Sequence, residues 1–564
     1  MLFQGGLKMS SIERIPRNDI TQKNPLFSNI RSVIETAFYA DNVTKIRHLT
    51  DAYALAKANP GTITTDLDVA FTNELQLPTD AKVLVTNDGK IVGRTAAARR
   101  IIGQKGNNQN FYSELLREAI FQARKKTFYS GEVIVGLDKS FTIKSHLMVP
   151  EDYSPNLYSY LLNFQISDAK QLFYQQSNMI DTGDIFIFAD PDWQHPDFPD
   201  GLVIIDPLHN CAAILGLRYF GELKKATLTL AWATAHRNGF IACHGGMKRY
   251  LLSDSSYTMA AFGLSGSGKS TITLAKPKNG QGQVQVLHDD AFVISKQNGS
   301  TTALEPAYFD KTQDYPMASE AIKYIVTAQN VGVTLDEENK KVLVTEDIRN
   351  GNGRSIKSRY ATPNRVDHIA EKIDGLFWIM KDDSLPPLIK ITDPALAAVF
   401  GATLATKRST AENVIGEVNN QLVIEPFANP FRCYPLQEDY QDFKALFEKQ
   451  TTDCYILNTG EYKGQDITPE ETLTSIEKII TGVAEFKPFG PLKQISYLPI
   501  DRYEPDFDSH HYLLLLMTRL EARLAFVQSR KSENDGYDRL PNEAEQLLLQ
   551  LLDQLHNYKE NLNI

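Results

Sequence analysis

Gly263-Leu264-Ser265-Gly266-Ser267-Gly268-Lys269-Ser270 fits the pattern G-x-x-x-x-G-K-[ST] in full. Glycines in such a loop let backbone N–H groups turn inward around phosphate oxygens, because no Cβ blocks the conformation. Lys269 then reaches the β- and γ-phosphates, and Ser270 offers its hydroxyl to Mg²⁺. The flanks agree. An apolar strand is predicted over 259–263, and a helix starts directly after the loop. A further strand, 284–287, closes on His288-Asp289-Asp290. Strand, glycine loop, helix and a strand ending in acids is the order of a mononucleotide-binding lobe. Two acids in that position suit a divalent cation, held directly or through water. Aspartates are also common in plain surface turns; the loop upstream favours the metal.

Outward from this lobe, the chain of 564 residues has room for two or more substantial lobes. With 42% hydrophobic and 23% charged residues, its composition is that of ordinary globular proteins. A net charge of −10 argues against nucleic acid or an anionic membrane as a general partner. The apolar runs at 395–400 and 512–517 are too short to cross a bilayer. Cys211, Cys243, Cys433 and Cys454 form no CxxC pair, so reduced cytoplasmic thiols are expected. Residues 1–8 read as a tag remnant before Met9.

Residues 81–93 read as strand, turn and strand around Asn87-Asp88-Gly89. Strands are predicted at 131–137 and 201–205, and a helix at 226–236 entered from Lys224-Lys225. Residues 505–564 read as two helices around a polar link at 531–542. The last helix has a leucine-rich face suited to docking or homo-oligomer formation, or simply to capping the core, the reading preferred here. His146, His236 and His368 are expected to be packed or surface histidines.

Tyr219-Phe220-Gly221-Glu222-Leu223-Lys224-Lys225 and Cys243-His244-Gly245-Gly246 stand upstream of the loop. On composition alone neither takes a role. In collinear order with the loop and Asp289-Asp290, however, they resemble the motifs of the ATP-dependent phosphoenolpyruvate carboxykinases. The family's Y-x-G-E-M-K-K is matched except at Leu223, and its G-L-S-G-T-G-K-T-T is close to Gly263 through Thr271. Its E-G-G-C-Y-A-K-T is echoed from Glu305 to Thr312, where Glu305 and Lys311 are supporting groups. Leu385-Pro386-Pro387 and Asn458-Thr459-Gly460 match its L-P-P and N-T-G. The likeness spans roughly residues 85–480.

The resemblance implies a two-lobed α/β fold with a P-loop-containing nucleotide-binding lobe. Residues 1–250 would form the substrate lobe, 251–500 the nucleotide and metal lobe, and 501–564 a helical extension. It implies ATP, Mg²⁺ and Mn²⁺ as cofactors, with oxaloacetate converted to phosphoenolpyruvate and CO₂. The Mn²⁺-type ion would be held by Lys225, His244 and Asp290, and Mg²⁺ by the phosphates and Ser270. Catalytic roles fall to Lys225, Lys269, Arg94 and Arg359, with Arg94 and Tyr219 touching the organic substrate. A ligating lysine must be neutral, so burial and a neighbouring cation must depress its pKa.

The sequence departs from the family mostly on the organic side. Thr95-Ala96-Ala97-Ala98-Arg99 replaces S-P-K-D-K after Gly93-Arg94, and Ala291 replaces the acid after the paired aspartates. Tyr315-Pro316-Met317 replaces E-P-E, Met380 through Ser384 replaces T-A-D-A-F-G, and Glu461 through Gln465 leaves the basic nucleotide contact undefined. Two alternatives therefore stand beside the carboxykinase. One is a kinase of the same fold acting on another small-molecule or protein hydroxyl. The other is a catalytically weakened nucleotide-binding or assembly protein.

Overall fold

The computed structural model describes residues 11–88, 98–180, 182–264, 266–277, 282–346, 352–407 and 422–562. It is a mixed α/β structure of many helices and several sheets. Contacts divide the chain into two compact units, each discontinuous in sequence. The first holds the chain through Asn238 and takes back Thr302–Pro363; the second holds Gly239–Thr301 and the C-terminal helices. The linear division at 250 and 500 differs from these units, and strand pairing is the reason.

In the first unit a five-stranded sheet runs Tyr308–Lys311, Arg354–Lys357, Ile325–Gln329, Lys82–Thr86, Ile63–Asp68. Ile325–Gln329 lies parallel to Lys82–Thr86, with Thr327 opposite Leu84. The Thr327 hydroxyl also donates to the Leu84 carbonyl at 3.0 Å. No local pattern announces a pairing between segments so distant in sequence, yet it fixes residues 302–363 to this unit. The predicted strand–turn–strand at 81–93 yields the strand Lys82–Thr86; its second half, from Gly89, lies outside the described residues.

The larger sheet of this unit contains the predicted strands as Phe128–Asp138 and Leu202–Asp206. Every residue of Ile185–Asp190, Leu202–Asp206 and Cys211–Leu215 is buried, so both faces are covered. One face packs Phe186, Phe188, Leu202 and Ile204 against Ile30 and Ile34 of the Asn29–Ala37 helix and Leu116 and Ala119 of the Gln109–Ala123 helix. Those helical residues recur every three or four positions, which puts them on one helix face.

The helix predicted at 226–236 extends over Phe220–Arg237, so Lys224 and Lys225 lie inside it rather than at its entrance. Gly221 speaks against helix there by propensity, but Phe220 and Leu223 are buried, and packing overrides the local preference.

In the second unit an eight-stranded sheet runs Gln283–His288, Gly246–Leu251, Ser256–Phe262, Gly375–Met380, Asp453–Asn458, Leu388–Ile391, Leu492–Tyr497, Lys487–Phe489. Its three central strands, Ser256–Phe262, Gly375–Met380 and Asp453–Asn458, are parallel neighbours. Their carboxyl ends therefore open on the same edge, where ligands bind in sheets of this kind.

The chain closes with the helices His510–Ser529 and Asn542–Asn561. The leucine face of the last is turned inward: Leu548, Leu551, Leu552 and Leu555 are all buried. Within the chain, that face caps the core, so it does not offer the assembly surface considered from the sequence. No described helix is long and apolar enough to cross a membrane. All four cysteines are buried and unbridged.

Candidate active site

The glycine loop follows Phe262 at the carboxyl end of one of the parallel strands of the second unit. Gly266 and Gly268 adopt φ of 79° and 90°, left-handed values that a side chain would strain, and Gly268 caps the short helix Lys269–Leu274. Ser265 lies outside the described residues. Ser267 is buried with its hydroxyl oxygen lacking a hydrogen-bond partner. Ser270 and Thr271 are exposed at the start of the helix, and Lys269 is half-buried.

Lys269 Nζ stands 3.8 Å from Asp290 Oδ1, and the same carboxylate oxygen is 2.9 Å from His244 Nε2. The loop lysine, the second acid of the pair and the histidine are thus brought together as expected. Their placement has local causes. His244 ends the strand Phe240–His244, which pairs antiparallel with Ala291–Ser295 so that His244 faces Ala291. The Gly245 amide donates to the Asp290 carbonyl at 3.0 Å. A Cβ on Gly246 would sit 1.9 Å from Thr273 Oγ1, so glycine is required where this strand passes the loop helix. His288 Nδ1 accepts from the Asp290 and Ala291 amides at 3.0 and 3.2 Å, shaping the acidic turn. The sequence motif contained His288 but gave no sign of this role.

A cation suits this arrangement. A carbonyl can only accept, so the 2.6 Å contact from His244 Nδ1 to the Ala428 carbonyl assigns the proton to Nδ1. Nε2 is then the nitrogen turned to the Asp290 carboxylate: protonated, it completes the 2.9 Å ion pair, and neutral, it leaves a lone pair for a cation beside that carboxylate. The carbonyl orients the ring for such a cation. Among the described residues no three His, Cys, Asp or Glu side chains converge as a metal cluster. A donor of another type would have to complete the shell.

Lys248, on the strand Gly246–Leu251, was not singled out from the sequence. It is buried, and its Nζ donates to the Ile272 and Ala275 carbonyls at 2.6 and 3.1 Å, tying down the end of the loop helix. Burial pushes its ammonium down to about 7.

The first unit carries the remaining expected residues. Lys224 and Lys225 differ sharply within the Phe220–Arg237 helix. Lys224 is fully buried against Glu305 at 2.9 Å, and Asn163 donates to the same carboxylate at 2.6 Å, whereas Lys225 is half-buried. Tyr219 caps this helix. Burial raises its phenol pKa, opposed by the positive charge of Arg354. The arginine beside Tyr219 is thus Arg354, at the start of Arg354–Lys357. Arg359, the residue expected from the resemblance, lines a cavity of about 180 Å³ with Ser358, Tyr360, Lys170 and Glu74. A charged group continues from Arg354: Lys357 meets Asp310 at 2.9 Å, and Tyr315 donates to Asp310 at 2.6 Å. Arg94 lies outside the described residues; Asp88, the last residue before that gap, is held by Asn330, and burial lifts its carboxyl to about 6.

The family model described as phosphoenolpyruvate carboxykinase, ATP type, matches residues 68–489. The phosphoenolpyruvate carboxykinase (ATP) of Aeropyrum pernix is 27% identical over 292 residues, covering 49% of this chain and 57% of the relative. That of Nitrobacter winogradskyi is 22% identical over 405 residues, covering 70% of this chain and 73% of the relative. The glycosomal enzyme of Trypanosoma brucei brucei is 22% identical over 263 residues, 45% of this chain and 52% of the relative. The chain thus spans between about half and three quarters of the curated relatives it matches. With its phosphate loop, its paired aspartates and a family match over most of its length, this chain belongs to the ATP-type phosphoenolpyruvate carboxykinase family.

Proposed function

We propose that the chain converts oxaloacetate and ATP to phosphoenolpyruvate, CO₂ and ADP. The observation that carries this reading is the convergence of Lys269, Asp290 and His244 at the open edge of a parallel sheet in a member of this family. Breaking the bond to the departing carboxylate leaves its electron pair on the remaining fragment as an enolate. The enolate oxygen then forms a bond to the γ-phosphorus while the bond to the ADP oxygen breaks. Charge spreads over the phosphoryl oxygens as it moves, and Lys269 with the inward backbone amides of 263–270 would stabilise it. Ser270 would serve Mg²⁺ on the nucleotide, and His244 with Asp290 would hold the Mn²⁺-type ion. When bound, such ions supply Lewis-acid stabilisation of developing oxygen charge. Lys225 enters this set by resemblance alone.

On the organic side we assign Tyr219 and Arg354 to the substrate, with Arg354 taking the place that the resemblance gave to Arg359. An arginine fork suits a carboxylate, and a buried phenol gives it a fixed neighbour. Buried, unbridged cysteines fit the reducing cytoplasm expected from the sequence.

The test is incubation of the purified chain with ATP, oxaloacetate, Mg²⁺ and Mn²⁺. Phosphoenolpyruvate that disappears in Lys269→Ala supports the reading. ADP formed with oxaloacetate left intact identifies a kinase of another acceptor, and ATP bound without any product identifies a nucleotide-binding protein; either overturns it.

A further inference from the structure

The His510–Ser529 helix lies wholly beyond the 68–489 segment matched by the family. One stripe of its surface grips three successive residues of the turn 382–384. Tyr512 donates to the Ser384 carbonyl at 3.0 Å. Arg519 makes a two-point fork to the Asp383 carboxylate at 2.8 and 2.9 Å. Arg523 donates to Asp382 at 2.6 Å and also to the Thr403 carbonyl, and both members of the Arg523–Asp382 pair are only 2% exposed. Positions 512, 519 and 523 are spaced by seven and four, which places them on one helix face. Three polar side chains aimed at one turn are more than a cap on an apolar core requires.

That turn is tied in two further steps to the phosphate loop. Asn458 donates through its amide to the carbonyls of Asp382, Leu385 and Glu461 at 2.8, 2.6 and 3.0 Å. Its own side-chain oxygen accepts from the Gly460 amide at 3.1 Å, which sets the Asn458-Thr459-Gly460 turn. Thr459 then donates through its hydroxyl to the Ser267 carbonyl at 2.9 Å, inside the loop itself. A continuous path of hydrogen bonds therefore runs from the His510–Ser529 helix through two turns to Ser267, all within the second unit.

We propose that the His510–Ser529 helix is a positioning element for the nucleotide loop, with Arg519 and Arg523 as its positioning residues. The proposal rests on the reading of 263–270 as the nucleotide site. Two turns hold Ser267 in place, and both arginines fix the first of them. Loss of a fork loosens the turn, and the loop then has to be ordered at the expense of nucleotide binding. Removing one partner of the buried Arg523–Asp382 pair would threaten folding itself. The half-exposed Arg519–Asp383 fork is the better lever.

The experiment measures Mg²⁺–ATP affinity by calorimetry on the full chain, with thermal melting as the check on folding. It uses wild type, Arg519→Ala, Thr459→Val, both together, and the exchanged pair Arg519→Asp with Asp383→Arg. Arg519→Ala is expected to melt as a folded protein and to weaken Mg²⁺–ATP binding about 5- to 30-fold. The KM for oxaloacetate should stay within about twofold of wild type, the exchanged pair should regain affinity, and the Thr459→Val loss should not add to that of Arg519→Ala. A folded Arg519→Ala chain with ATP affinity within about twofold of wild type overturns the proposal, as do fully additive losses. Wild type that takes up no Mg²⁺–ATP overturns the reading of the loop as well, and so separates the two failures.

Discussion

The phosphate end of the second unit and the tyrosine–arginine end of the first are built in opposite ways. In the second unit, His244, the glycine loop and Asp290 fall within a short run of sequence; the strands that lead to the loop and to Asp290 both pair with Gly246–Leu251, and that of His244 pairs with the strand that follows Asp290. In the first, the charge of Arg354 acts on Tyr219 from the strand Arg354–Lys357, in a sheet whose other strands include Lys82–Thr86. A site assembled from contiguous motifs tolerates drift elsewhere in the chain. One assembled by distant pairing can shift its contacts when a loop changes.

The largest effect expected from this contrast is at the loop. Lys269→Ala should lower turnover about 10²–10³-fold, because a charge aimed at the moving phosphoryl group has no substitute there. Initial rates at saturating ATP and oxaloacetate would show it. At the other end the loss should be selective. Arg354→Ala should lower kcat/KM for oxaloacetate about 10- to 100-fold, the range for a lost hydrogen bond to a charged group, with ATP affinity unchanged. Arg359→Ala should cost less than Arg354→Ala. The reverse order would favour Arg359, the arginine named from the resemblance, and break the comparison as drawn.

His244→Ala should weaken Mn²⁺ binding by about tenfold or more, read by titration of the ion alone, since the ion would lose one of the side chains proposed to hold it. The smallest effect concerns the end of the loop helix. The Lys248 ammonium titrates at about 7 in the folded chain, against an ordinary value of 10.5. Between those values the unfolded chain binds more protons, so this lysine makes stability rise as pH climbs from about 7 towards 10.5. Lys248→Met should flatten that part of the stability curve, by at most a few kcal/mol on the order expected for a buried lysine. Denaturant melts at pH 7 and pH 9.5 would measure the change.

The legible parts of the molecule were those encoded locally. The loop, its strand, the acidic turn and the two C-terminal helices follow from glycine placement, β-branched runs and leucine periodicity. The path of 302–363 back into the first unit did not, because strand pairing leaves no trace in either partner alone. Arg354 was hidden for the same reason, and Arg359 was named instead from the family resemblance. Lys248 was invisible because a lone lysine in a strand ordinarily signals a solvated edge. Only the crowding of the loop helix against Gly246 shows that its side chain is enclosed. The leucine face of Asn542–Asn561 was read correctly as apolar, but periodicity cannot say which surface covers it.

The central claim is that a cradle of backbone ending at Lys269 binds a triphosphate beside a cation at Asp290. Isothermal calorimetry of Mg²⁺–ATP against wild type, Lys269→Ala and Asp290→Asn tests it most directly. The account predicts saturable one-to-one uptake by wild type, strongly weakened in Lys269→Ala, and an Asp290→Asn chain that still takes up Mg²⁺–ATP but loses its response to added Mn²⁺. Uptake of equal strength in all three, or none in wild type, would contradict it.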